Sequence, residues 1–280
     1  LKTIGFIDYY LDEWHAEHYP KWIEQASGGT MKVAYAYGMA DSPSGRTNVQ
    51  WSEDKGIELL PSIAEVVDRS DYIIVLSPDH PQYHESLAQL PLQSGKPTYI
   101  DKTFAPDRQT ARRLFDLAEQ HGTPLFSSSA LRFAAEYAGA ERAGIENIIS
   151  FGPGRYDNYS IHQIEPIVSL LGPGVRRMMY TGTPHAPSWL IGFSGGRQAE
   201  IHHLGGGCPF SLTVSYTSGE TNMLKADSDY FGLFAGALVR FFETGVPPVD
   251  PAETVAIITI IEQGFKTMET PYQWVELPSE

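Results

Sequence analysis

Residues 95–103 read Gly95-Lys96-Pro97-Thr98-Tyr99-Ile100-Asp101-Lys102-Thr103, a β-type run that stops on an acid, a lysine and a threonine. A strand that delivers a charged pair at its carboxyl end places chemistry where open α/β sheets bind ligands. A lone Asp-Lys pair is more often a solvated turn, so its surroundings decide. Upstream, residues 3–8 and 31–37 are short strand-like runs, and 71–76 is too apolar to be half exposed, as in a parallel sheet covered on both faces. Helical spacing occupies 11–26, with Trp14, His18, Trp22 and Ile23 on one side, and shorter helices are expected at 62–68 and 82–93. Downstream, Asp107 caps a helix over 108–121 that Gly122 closes, and 123–128 is another strand. Four or five strands alternating with helices predict a doubly wound, Rossmann-like parallel sheet over 1–128.

The remainder, 129–280, has another character. A strand at 146–156 leads into a helix at 161–171, and 176–181, 188–193, 197–203 and 209–215 have strand content between Gly-rich turns. The expectation is an α+β domain built on a mostly antiparallel sheet with helices on one face. The stretch 39–51 reads as a loop.

A formal charge of −14 over 280 residues leaves no basic stripe for a phosphate backbone, which excludes nucleic acid and anionic membrane as expected partners. The single Cys208, the lack of a long apolar run and the absence of a charged-then-apolar opening predict a cytoplasmic protein. The histidines show no zinc spacing: His202 and His203 are adjacent and point to opposite faces of a strand, and no metal is expected.

A nucleotide-binding βαβ unit needs a glycine-rich first turn, so that backbone amides approach a pyrophosphate. Here the turn reads Asp8-Tyr9-Tyr10-Leu11, with bulk and negative charge. The second strand, expected to end on an acid for the ribose, ends Tyr37-Gly38, and the nearest acid is Asp41.

Ser77-Pro78, His84, Gly95-Lys96, Asp101-Lys102-Thr103, Leu131-Arg132-Phe133, His162-Gln163-Ile164-Glu165, Leu170-Leu171-Gly172 and the tail Phe241-Phe242-Glu243-Thr244-Gly245 follow one another along nearly the whole chain. In that order they resemble the Gfo/Idh/MocA oxidoreductases, sugar and polyol dehydrogenases with an amino-terminal Rossmann domain. The resemblance implies an NAD or NADP cofactor, a carbohydrate-like substrate and a homo-oligomer. It places Lys102 and His162 at the reacting alcohol, with Asp157 as a third catalytic candidate. It sets Asp8, Tyr9, Tyr10, Tyr37, Ser77, Pro78, His84 and Asp101 along the cofactor, and Lys102, Arg132, Asn158 and Tyr159 along the substrate. Asp-Lys-Thr stands for the family's Glu-Lys-Pro, and Asn158 replaces the acid four residues before the histidine.

Three functions remain open. The leading one, because Lys102 and His162 persist, is an NAD(P)-dependent oxidoreductase acting on a sugar, polyol or related secondary alcohol; the alternatives are a cofactor-independent or metal-assisted sugar lyase, hydratase or isomerase, and a non-catalytic sugar-binding subunit.

Overall fold

The computed structural model describes residues 1–278. The chain forms two compact units, residues 1–128 with 234–251, and residues 129–233 with 252–278. Residues 234–251 pack with the first unit.

The first unit holds β1 (Lys2–Asp8), α1 (Trp14–Ala26), β2 (Met31–Gly38), α2 (Asn48–Lys55), β3 (Glu58–Leu59), α3 (Ile63–Arg69), β4 (Tyr72–Val75), α4 (His84–Gln93), β5 (Thr98–Ile100), α5 (Arg108–Gln120) and β6 (Leu125–Phe126). The strands pair in the order β3-β2-β1-β4-β5-β6, all parallel. The order reverses at β1 and β4, which is the crevice where doubly wound sheets bind ligands. Ile4, Phe6, Ile7 and Ile73 to Leu76 are fully buried, as strands covered on both faces require. Gly5 permits the cover on one side, because a Cβ there would lie 2.4 Å from Val66 of α3.

Three local expectations are corrected. Residues 48–51 are not loop but the start of α2, set by a capping box between Thr47 and Gln50. A sixth strand, the two-residue β3, is added by pairing with β2. Helix α1 starts at Trp14 rather than residue 11, because the Glu13 carboxylate caps it.

The second unit contains α6 (Ala135–Ala138), β7 (Ile145–Pro153), α7 (Tyr156–Leu171), β8 (Val175–Tyr180), β9 (Ser188–Phe193), β10 (Gln198–Leu204), β11 (Ser211–Tyr216) and β12 (Thr221–Lys225). Helix α8 (Tyr230–Thr244) follows and lies mostly in the first unit; α9 (Pro251–Thr267) and β13 (Val275–Glu276) return to the second. Its sheet runs β12-β11-β7-β10-β9-β8-β13. Only the β7–β10 pair is parallel, in line with the mostly antiparallel expectation.

Helix α7 begins five residues before the expected start. Pro153 and Gly154, the latter at φ 83°, end the strand, and Tyr156 anchors the first turn by donating to Ile260 O at 2.9 Å. Asp157, Asn158 and Tyr159 therefore stand on the exposed first turn of the helix that carries His162. Among the described residues no helix is long and apolar enough to cross a membrane.

Candidate functional site

In the first unit the carboxyl ends of β1, β4 and β5 bring together Asp8, Ser77 and Asp101. Asp101 is wholly buried and accepts from the Tyr99 hydroxyl at 3.0 Å, the Tyr19 hydroxyl at 3.1 Å and the Lys102 amide at 2.8 Å, all on Oδ1. Three donors on one oxygen fix the backbone at the strand end. The Lys102 side chain beyond it stays only half-buried. Burial, followed by the neighbouring Asp101 charge, drives the Tyr19 and Tyr99 phenols well above their usual pKa, so both remain hydrogen-bond donors.

His15 was absent from the expected site, yet its Nδ1 lies 3.1 Å from Glu13 Oε2 and 3.8 Å from Asp101 Oδ2. Burial pulls its pKa down, but Asp101 and then Glu13 pull harder in the other direction and leave it raised. Asp8 is also buried, its Oδ1 accepting from the Tyr9 amide at 2.7 Å. Burial first, then the Glu13 charge, raises its pKa well above its usual value.

Ser77 adopts φ 75°, a left-handed conformation rare outside glycine, and its hydroxyl donates to His80 O at 3.1 Å. Pro78 is buried behind it, and Tyr37 is half-buried at the end of β2. His84 is fully enclosed, with Nδ1 2.9 Å from Phe104 O and Nε2 2.5 Å from Leu76 O. Burial depresses its pKa against the pull of both carbonyls. It braces the loop after Lys102 against the end of β4 and offers no surface to a ligand.

The turn from Asp8 to Glu13 is the place where the fold receives a pyrophosphate. Three of its amides are already engaged. Tyr9 N donates to Asp8, Leu11 N to Asn48 Oδ1 at 2.9 Å, and Glu13 N to Leu11 O at 2.9 Å. On α1, His15 N donates to the Glu13 carboxylate at 2.7 Å, and Ala16 N donates to its other oxygen. Tyr9 stacks on Tyr83 with ring centroids 4.2 Å apart and planes 9° from parallel, and Tyr10 and His80 pack beside them. The space left among Asp8, Tyr9, Tyr10, Glu13, Ser77 and His80 is about that of one water molecule. Asp41, the acid nearest the ribose position, accepts from the Asn48 amide at 2.7 Å. These residues do not fit a dinucleotide at this turn: Glu13 takes the amides that the start of α1 would present to a phosphate.

In the second unit His162 Nδ1 lies 2.7 Å from the Ser129 hydroxyl, and Tyr159 and Phe210 meet its ring edge to face. The hydroxyl orients the imidazole. Asp157 pairs with Arg155 across the first turn of α7, and Asn158 is exposed. Arg132 donates to Glu165 at 3.1 Å and pairs with Glu253; only 10% of its side chain is exposed. Its charge is thereby neutralised inside the unit.

Burial pushes Glu165 up to about 6 despite Arg132. A carboxyl raised on folding contributes stability that is complete below its unfolded pKa and is lost as pH rises through its folded value. We expect the wild type to lose about 2 kcal/mol relative to Glu165→Gln between about pH 4.5 and pH 7. Denaturant melts of both proteins at the two pH values measure it, and a constant difference would refute it. Among the described residues no three His, Cys, Asp or Glu side chains are grouped so as to hold a metal ion.

Residues 15–129 match the oxidoreductase family with an NAD-binding Rossmann fold, Gfo/Idh/MocA. No curated protein matches the chain in sequence. Solved structures with the same fold include GenD2 from gentamicin A biosynthesis in complex with NAD, at 13% identity and TM-score 0.80, over 100% of this chain and 97% of that one. Scyllo-inositol dehydrogenase from Lactobacillus casei, with bound NAD(H) and scyllo-inositol, aligns at 14% identity and TM-score 0.80 over 98% of both chains. An oxidoreductase from Bacillus cereus aligns at 15% identity and TM-score 0.73, over 100% of this chain and 99% of that one. The chain shares their fold.

Proposed function

We propose that this chain acts on a sugar, polyol or related carbohydrate-like substrate, with Lys102 and His162 as its proton-transferring residues. The observation that carries the reading is the strand end at Asp101, where three donors hold the backbone still and leave the Lys102 side chain half-buried. A base works best when it is positioned before the substrate arrives and its proton affinity suits the working pH. His162, oriented by Ser129 in its own unit, is the second such group. Asp157, Asn158 and Tyr159, exposed on the first turn of α7, are proposed to meet substrate hydroxyls.

Two versions of this chemistry differ in the cofactor. An NAD(P)-dependent oxidoreductase is favoured by the family match over 15–129. A cofactor-independent lyase, hydratase or isomerase is favoured by the closed turn, which is a property of this chain itself. We place the second version first. In it Lys102 removes a substrate proton and His162 donates or returns one, so the sugar is rearranged or dehydrated without net oxidation.

The test is incubation with a panel of sugars and polyols in deuterated solvent, with and without NAD(P)H, followed by NMR. Deuterium entering a carbon position without nucleotide supports the first-placed version, and conversion that requires NAD(P) supports the other. A panel that neither binds nor changes under either condition would remove the carbohydrate reading.

A further inference from the structure

The groups gathered at the β1–α1 turn show what replaces the family's ligand. An α-helix presents unsatisfied amides and the positive end of its dipole at its amino terminus, and an anion is needed there. In this fold a pyrophosphate normally supplies it. Here a carboxylate of the chain does. Glu13 accepts from His15 N and Ala16 N with one oxygen each, and only 10% of its side chain is exposed. The His15 ring flanks it, with Nδ1 3.1 Å from Glu13 Oε2, so the carboxylate has an imidazole neighbour as well as two amides.

We propose that the dinucleotide site of this chain is occupied by the chain itself, with Glu13 as an internal anion in the pyrophosphate position. Entry of a dinucleotide requires the carboxylate to leave both amides. It also requires the stacked Tyr9 and Tyr83 rings to part. Asp8 is buried beneath the turn, and its Oδ2 has no hydrogen-bond partner. Glu13 is thus a residue that sets which ligands the first unit accepts, and anionic dinucleotides are the class it rejects. The inference concerns the cofactor alone and stands or falls independently of the substrate class.

The experiment is titration of the 280-residue chain with NADH and NADPH, followed by nicotinamide fluorescence and calorimetry, for the wild type, Glu13→Gln, Glu13→Ala and the double variant Glu13→Ala/Tyr9→Gly. The wild type is expected to show no saturation up to about 1 mM nucleotide. Glu13→Gln keeps an oxygen for one amide and removes the charge, and Glu13→Ala opens both amides. Saturation is expected to appear below about 1 mM in Glu13→Ala or the double variant, at least tenfold tighter than any residual wild-type binding. Thermal melts establish which variants fold; if the alanine variants do not, Glu13→Gln with measurable binding supports the proposal and its lack of any gain opposes it. Micromolar binding by the wild type overturns the inference. So does a folded double variant that binds no better than the wild type.

Discussion

Lys102→Ala is expected to lower turnover by about 10²–10⁴-fold while changing substrate affinity far less. The magnitude is that of losing one positioned proton-transfer group. The asymmetry follows from the anchoring of Asp101, which accepts the Lys102 amide and is unaffected by truncation of the lysine side chain. The strand end keeps its shape, and what disappears is the proposed base. Steady-state kinetics on the substrate found by NMR separate kcat from KM, and circular dichroism confirms the fold. Full activity in Lys102→Ala would take the lysine out of the chemistry. A wild type that binds sugars without ever changing them, and binds them less tightly in Lys102→Ala, would make the chain a binding subunit instead.

The second large effect is on stability. Arg132→Met is expected to destabilise the protein by about 3–5 kcal/mol near neutral pH, because it leaves Glu165, with 3% of its side chain exposed, without its cation. The cost should shrink below about pH 6, where Glu165 takes up a proton and no longer needs the guanidinium. Arg132→Lys should recover only part of the loss, since one ammonium cannot reach Glu165 and Glu253 with the paired geometry of a guanidinium. Urea melts at pH 5 and pH 7.5 give both quantities. A loss below about 1 kcal/mol at the higher pH would mean that the triad contributes no more than a surface pair.

The fold was legible because its signals are local. Apolar runs such as 71–76 and the alternation of strand and helix need only a short window of sequence, and they led to the parallel sheet. Helix α2 was missed because it lies in a polar stretch with little apolar periodicity; its signal was the Thr47–Gln50 box. The unusual turn was visible as Asp8-Tyr9-Tyr10, but its chemistry was not. Glu13 is an unusual N-cap residue, and the helix start was read three residues too early, which hid the cap. The approach of His15 to Asp101 joins residues far apart in sequence, as does the Arg132–Glu165–Glu253 cluster. No spacing rule reports such pairs. Arg132 was read from its motif as facing the substrate, and its two carboxylate partners are what the motif could not show.

The segment 234–251, which packs with the first unit, bears on how this protein is made. Phe234 lies 5.6 Å from the Tyr19 ring and 5.5 Å from Tyr99, Phe241 packs on Phe126 at 4.8 Å, and Phe242 stacks on Tyr72 at 4.8 Å. During synthesis these aromatic faces leave the ribosome long before the helix that covers them. The amino-terminal sheet must wait, with part of its core open to water, while all the strands from β7 to β12 emerge. Domains often fold in the order in which they are translated; here the first to emerge is completed late. A fragment ending at residue 128 is accordingly expected to aggregate, and co-expression with a peptide spanning 230–251 to rescue its solubility, a result read from the soluble fraction and from size-exclusion chromatography.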